Sequence, residues 1–247
     1  MILKRKIYKK LLEWKNGCQG KKALLIEGAR RIGKSTICEE FGKNEYDSYL
    51  LIDFAKKDKE VEGYFEKYLN DLDTFFMLLQ THFGKKLTER NSLIIFDEVQ
   101  MFPQARAAIK YLVADGRYDY IETGSLISIR ENVKNIVIPS EERNINMYPL
   151  DFEEFAIALE EDLLVEYIKK CFEKREPLER SMHNQAMLLF HQYMLVGGMP
   201  MPVVAFIESK KDFTEVDKEK RDILKLYRED IMKIDMSCLL YTSDAAD

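Results

Sequence analysis

Apolar runs of strand length alternate with helix-period segments from Ala23 to about Ile138, and beyond Pro149 only the helical period continues. Ala23-Leu24-Leu25-Ile26 and Leu93-Ile94-Ile95-Phe96 have no polar alternation, the signature of strands buried on both faces of a parallel sheet. Ser48–Phe54 and Tyr118–Glu122 read as two more strands and residues 134–138 as a fifth. Residues 3–15 set Leu3, Ile7, Leu11, Leu12 and Trp14 among lysines, which predicts an amphipathic lead-in helix. Further helices are expected from the end of the first strand's loop to Phe41, over 57–69, and over 72–83. The last of these carries Leu72, Phe75, Phe76, Leu79 and Phe83 on one face. Pro103, in its favoured first-turn place, opens another helix to about Ala114.

Pro149 marks the expected domain boundary. Asp151 is placed to cap a helix starting at Phe152, with Glu154 three residues on completing a capping box. Helices are expected over 161–175, 181–195, 201–209 and 214–234, with Gly197-Gly198-Met199-Pro200 as a stop and restart. A ligand role for that turn is the alternative. The expected layout is a lead-in helix over 1–20, a core domain over 21–149, and a partial helical domain over 150–236.

Gly28-Ala29-Arg30-Arg31-Ile32-Gly33-Lys34-Ser35-Thr36 fits the phosphate-binding pattern G-x-x-x-x-G-K-[ST] and lies between an apolar strand and a helix. The helix's unpaired N–H groups and positive dipole end would face an anion there. Lys34 would reach the β- and γ-phosphates of a nucleotide, and the Ser35 hydroxyl would complete a Mg²⁺ shell. Of Arg30 and Arg31, one would face the nucleotide while the other pairs with a surface acid. A chance glycine turn entering a helix is the plain alternative. The pattern predicts a P-loop NTPase fold: three-layer α/β/α with a mainly parallel five-stranded sheet, followed by an incomplete all-helical domain.

Asp97-Glu98 ends the second buried run, at the strand edge where open α/β sheets bind ligands. Asp97 would hold the metal shell and Glu98 would orient and deprotonate an attacking water. A kinase must shield the γ-phosphate from water until its acceptor binds, so a fixed base beside the metal ligand favours hydrolysis. The chain has no N-K-x-D guanine-specificity pattern. A solvated acidic pair at a strand end would explain the same two letters.

The segments GARRIGKST, IIFDEVQ, ETGSL, MYPLDFEEF and YMLVGGMP occur here in the order found in a large group of prokaryotic AAA-type ATPases. The chain resembles that group over about residues 1–236. The resemblance implies an ATP-binding core, a C-terminal helical, winged-helix-like domain of unknown function, and roles with DNA or in defence and signalling suspected for some relatives. It also implies a polar sensor residue at the end of the neighbouring strand, for which Thr123 and Ser125 are candidates; a strand-end turn with a capping serine accounts for the same letters. Arg143 lies where such ATPases often place an arginine acting on the γ-phosphate of its own or a neighbouring subunit. Pairing with Glu141 or Glu142 is its simpler role. Adenine over guanine rests on the resemblance alone.

Composition narrows the rest. With 46% hydrophobic and 33% charged residues the chain is of ordinary globular type. No apolar run approaches a membrane span and no signal peptide is visible, which predicts a cytoplasmic protein. Cys18, Cys38 and Cys171 are widely spaced, as are His82, His183 and His191, so neither a disulfide framework nor a zinc site is expected. Lys4, Arg5, Lys6, Lys9, Lys10, Lys15, Lys21 and Lys22 against Glu13 make the start strongly basic. That suits a solvated helix face better than a DNA contact, because no stacking platform accompanies it. Cys238–Asp247 resembles the translation of a transposase-type sequencing adapter. The expectation is that the native chain continues past about Ser237, and that a protein partner or DNA is met through that further part. Without Asp244 and Asp247 the net charge of −5 becomes about −3. ATP and Mg²⁺ are the expected cofactors, homo-oligomerisation is compatible with Arg143 acting in trans, and a nucleotide-dependent switch and a small-molecule kinase are the competing functions.

Overall fold

The computed structural model describes residues 2–125 and 141–234. The expected strand at 134–138 and the tail at 238–247 lie outside them. Strands β1 (Ala23–Gly28), β2 (Ser48–Asp53), β3 (Ser92–Asp97), β4 (Asp119–Ser125) and β5 (Glu142–Asn146) form one five-stranded sheet in the order β2-β3-β4-β1-β5. Every pairing is parallel. Among the described residues the fifth strand is Glu142–Asn146, which the hydrophobic pattern passed over. An edge strand pairs through its backbone on one side only, so it needs no apolar run, and β5 has Ile145 as its sole large apolar residue.

The described residues of this α/β unit, which spans Arg5–Tyr148, also form helices α1 (Ile7–Cys18), α2 (Lys34–Glu45), α3 (Lys59–Tyr68), α4 (Leu72–Phe83) and α5 (Pro103–Asp115). Ala23, Leu25, Leu50, Ile52, Ile94, Phe96 and Tyr120 point from the sheet into a core shared with α3, α4 and α5. Phe65 of α3 is its hub, with Phe54, Phe75, Phe96 and Phe102 at ring-centroid distances of 5.8, 5.0, 5.6 and 5.7 Å. The alternate positions Leu24, Ile26, Leu93, Ile95 and Ile121 are also buried, on the opposite face. There α2 brings Ile37, Cys38 and Phe41, and Phe41 meets Tyr8 and Trp14 of α1.

The lead-in helix starts at Ile7, four residues later than the period suggested, and buries Ile7, Leu11 and Trp14. Leu3 belongs instead to the second unit, which joins Met1–Lys4 to the chain from Pro149 onward, and packs against that unit's own core. That unit contains α6 (Phe152–Ala158), α7 (Asp162–Lys174), α8 (Arg180–Val196), α9 (Pro200–Glu208) and α10 (Phe213–Ile234). Asp151 and Glu154 form a reciprocal capping box at the start of α6, satisfying N–H groups that the helix leaves open. Leu150, Phe155, Leu189, Val203, Phe206 and Val216 build its core.

Candidate functional site

Strand order decides what meets at the carboxyl edge of the sheet. Because β4 lies between β1 and β3, the end of β4 stands between the loop after β1 and Asp97 at the end of β3. Gly28 ends β1, and a Cβ there would lie 2.4 Å from the Met147 carbonyl oxygen and 2.6 Å from Ile32 Cδ1, so only glycine lets the loop close over its own strand. Gly33, at φ 91°, is in the left-handed region and immediately precedes α2. Between them Ile32 is fully buried while Ala29, Arg30 and Arg31 are exposed, as is Thr36 in the first turn of α2.

Lys34 is only 5% exposed. Its Nζ donates to the Gly28 and Ala29 carbonyls at 3.1 and 2.8 Å, folding the ammonium over the loop. Burial lowers its pKa, an effect that Glu98 and Asp97 oppose and Arg30 reinforces. A buried cation cradled by carbonyls, beside the free N–H groups of a helix start, has the donor set that an anion requires.

Two hydroxyls converge on one carboxylate oxygen. Ser35 Oγ donates to Asp97 Oδ1 at 2.8 Å, and Thr123 Oγ1 donates to the same atom. The Glu98 backbone N–H donates to Thr123 Oγ1 at 3.2 Å, so β3, β4 and α2 are joined by one line of hydrogen bonds. Thr123 was expected as a group touching the γ-phosphate or water. Its hydroxyl hydrogen is committed to Asp97, because a carboxylate can only accept. Ser125, the other candidate, pairs in register with Gly28 and is buried beside the loop.

Glu98 adopts φ 53°, a left-handed backbone rare for a residue with a side chain, and its carboxylate accepts from Gln100 Nε2. The short helix Val99–Met101 then leads into α5. Arg143 is not brought here. It is exposed on β5 opposite Leu24, four residues before Gly28, or about 13 Å along the strand at ~3.3 Å per residue. Action within its own subunit is thus withdrawn; the physical reason is that β5 begins at the far edge of the sheet. Of the two acids expected to pair with Arg143, Glu142 is bound instead by Arg106.

Two contributors escaped the sequence reading. Arg5 Nη1 donates to the Ile32 carbonyl at 2.9 Å and its Nη2 to the Tyr148 carbonyl at 2.6 Å, bracing the loop from outside. Nothing local signals a contact across 27 positions. Gln100 had a signal, since it follows Glu98 by two residues on the loop leaving the buried strand.

The sequence pattern of the family described as "AAA domain" matches residues 20–156, more than half the chain. The chain belongs to this family. The AAA domain here is a P-loop ATPase of the AAA+ class, with nucleotide binding and ATPase activity as its general character. Among solved structures, C. elegans PCH-2 is 10% identical with a TM-score of 0.46, the alignment covering 88% of this chain and 69% of that one. The Aeropyrum pernix ORC1 protein, solved in complex with DNA, is 9% identical with a TM-score of 0.39, covering 79% and 68%. A signal-transduction ATPase with a tetratricopeptide repeat sensor from Pyrococcus horikoshii is 17% identical with a TM-score of 0.44, covering 88% of this AAA chain but 32% of that one. No curated protein matches the chain in sequence. No described helix is long and apolar enough to cross a membrane.

Proposed function

We propose that this AAA domain binds and hydrolyses ATP in a magnesium-dependent manner, and that nucleotide state is coupled to movement of the C-terminal helices. One observation carries the reading: Ser35 and Thr123 converge on Asp97 while Thr123 also holds the Glu98 backbone. Lys34 and the loop N–H groups would bind the β- and γ-phosphates. Ser35 and Asp97 would hold magnesium, which when bound offsets phosphate charge; their side chains, 2.8 Å apart, fit a shared ligand role. Glu98 would take a proton from water as that water's oxygen forms its bond to the γ-phosphorus and the bond to ADP breaks. Thr123 acts by holding Asp97 and Glu98 rather than by touching the phosphate.

A slow switch is the second reading, favoured by the engagement of the Glu98 carboxylate with Gln100. Glu98 would then become an effective base only when that contact is released. Phosphate release from Mg-ATP tests the main reading, with EDTA abolishing it; turnover unaffected by metal removal contradicts it. ATP-dependent change in hydrogen exchange over residues 150–234 tests the coupling, and identical exchange with and without ATP overturns it.

A further inference from the structure

Behind the sheet, on the face away from Asp97, lies a cluster that the proposed hydrolysis does not use. Glu122, on β4, is fully buried, and strand alternation points it to the side opposite Thr123, with Tyr120 and the α5 core. Arg106 of α5 is 2% exposed and grips Glu142 of β5 with two hydrogen bonds, Nε to Oε2 at 3.0 Å and Nη2 to Oε1 at 2.8 Å. β4 and β5 both flank β1, where Glu122 pairs with Leu25 and Glu142 with Ala23. The Glu122 carboxyl group interacts with that of Glu142 across the intervening strand. Neither Glu122 oxygen has a hydrogen-bond donor among the described residues.

An ionised Glu122 would be a buried carboxylate with nothing donating to it, beside a second carboxylate that already uses the fork of the arginine. Such a charge costs several kcal/mol or more to bury, and a group so placed neutralises instead. A single proton turns the repulsive acid pair into a hydrogen bond. We propose that Glu122 is a neutral carboxylic acid whose O–H donates to Glu142, and that this pair, with Arg106, clamps β4, β5 and α5 together behind the nucleotide edge.

The groups facing Glu122 are Glu142 from β5, Arg106 from α5, Tyr120 from its own strand and, toward Arg106, Glu27 from β1. Burial raises the Glu122 pKa well above the ordinary carboxylate value, and Glu142 raises it further, while Arg106 pulls the other way. The folded chain therefore keeps a proton that the unfolded chain has lost. Stability from this group is full below about pH 4.3 and falls as pH rises toward the folded pKa.

Urea unfolding of the full chain from about pH 5 to 9, for wild type and Glu122→Gln, reads this directly. The glutamine can donate to Glu142 at every pH. Relative to it, the wild-type unfolding constant should rise by up to about tenfold per pH unit until Glu122 ionises in the folded state. A protonated-carboxyl infrared band at neutral pH should be present in wild type and absent in Glu122→Gln. Parallel pH profiles, or the same infrared spectrum in both proteins, would overturn the proposal. If the variant does not fold, the wild-type band alone decides, its absence at neutral pH counting against a neutral acid. Neither readout needs nucleotide, so the clamp is tested apart from hydrolysis.

Discussion

At residue scale the proposed reading gives Lys34, Asp97 and Glu98 different tasks, and its parts can be tested separately. Lys34→Ala removes a buried charge-assisted donor, a class of interaction worth about 1.5–3 kcal/mol, so nucleotide affinity should fall ~10- to 100-fold by calorimetry. The Lys34 pKa is lowered by burial, so the ammonium loses its proton at a lower pH than an exposed lysine. ATP affinity should accordingly decline on the alkaline side earlier than ordinary lysine titration would predict, and a Lys34→Arg variant should lose that limb. Glu98→Gln keeps the shape of the site but not the proposed base. Turnover should drop by about 10²- to 10⁴-fold with binding retained, as stopped-flow phosphate release and calorimetry would show. Thr123→Val should lower turnover while sparing affinity, because it frees both Asp97 and the Glu98 backbone without touching the loop.

At the scale of elements, the aromatic hub on α3 is the sharpest test. Phe65→Ala would empty a site ringed by Phe54, Phe75, Phe96 and Phe102 and should cost ~3–5 kcal/mol in urea unfolding. Much of this level was legible beforehand. β1 and β3 announced themselves as unbroken apolar runs because both faces are covered, and Asp151 and Glu154 announced α6 because a cap needs those side chains at that spacing. β5 was not legible, since an edge strand rich in polar residues carries no periodic signal. Arg143 was misplaced for the same reason: its role depended on which end of an unseen strand it occupied. The Arg106–Glu142–Glu122 cluster was equally invisible, because it depends on β4 and β5 both flanking β1.

Across the whole molecule, the AAA domain's strand order turns residues far apart in the chain into one site. Lys34 and Ser35 come from the start of α2, Asp97 and Glu98 from the end of β3, and Thr123 from β4 between them. The P-loop pattern and the acidic strand end name the first four as candidates, but the convergence of Ser35 and Thr123 on a single oxygen required the fold. The most direct measurement is phosphate release from Mg-ATP by wild type, Glu98→Gln and Lys34→Ala, paired with nucleotide-induced thermal shift. The account predicts release and a shift in wild type, a shift without release in Glu98→Gln, and little of either in Lys34→Ala. Release by Glu98→Gln at the wild-type rate, or a wild-type protein that neither shifts nor releases phosphate, would contradict it.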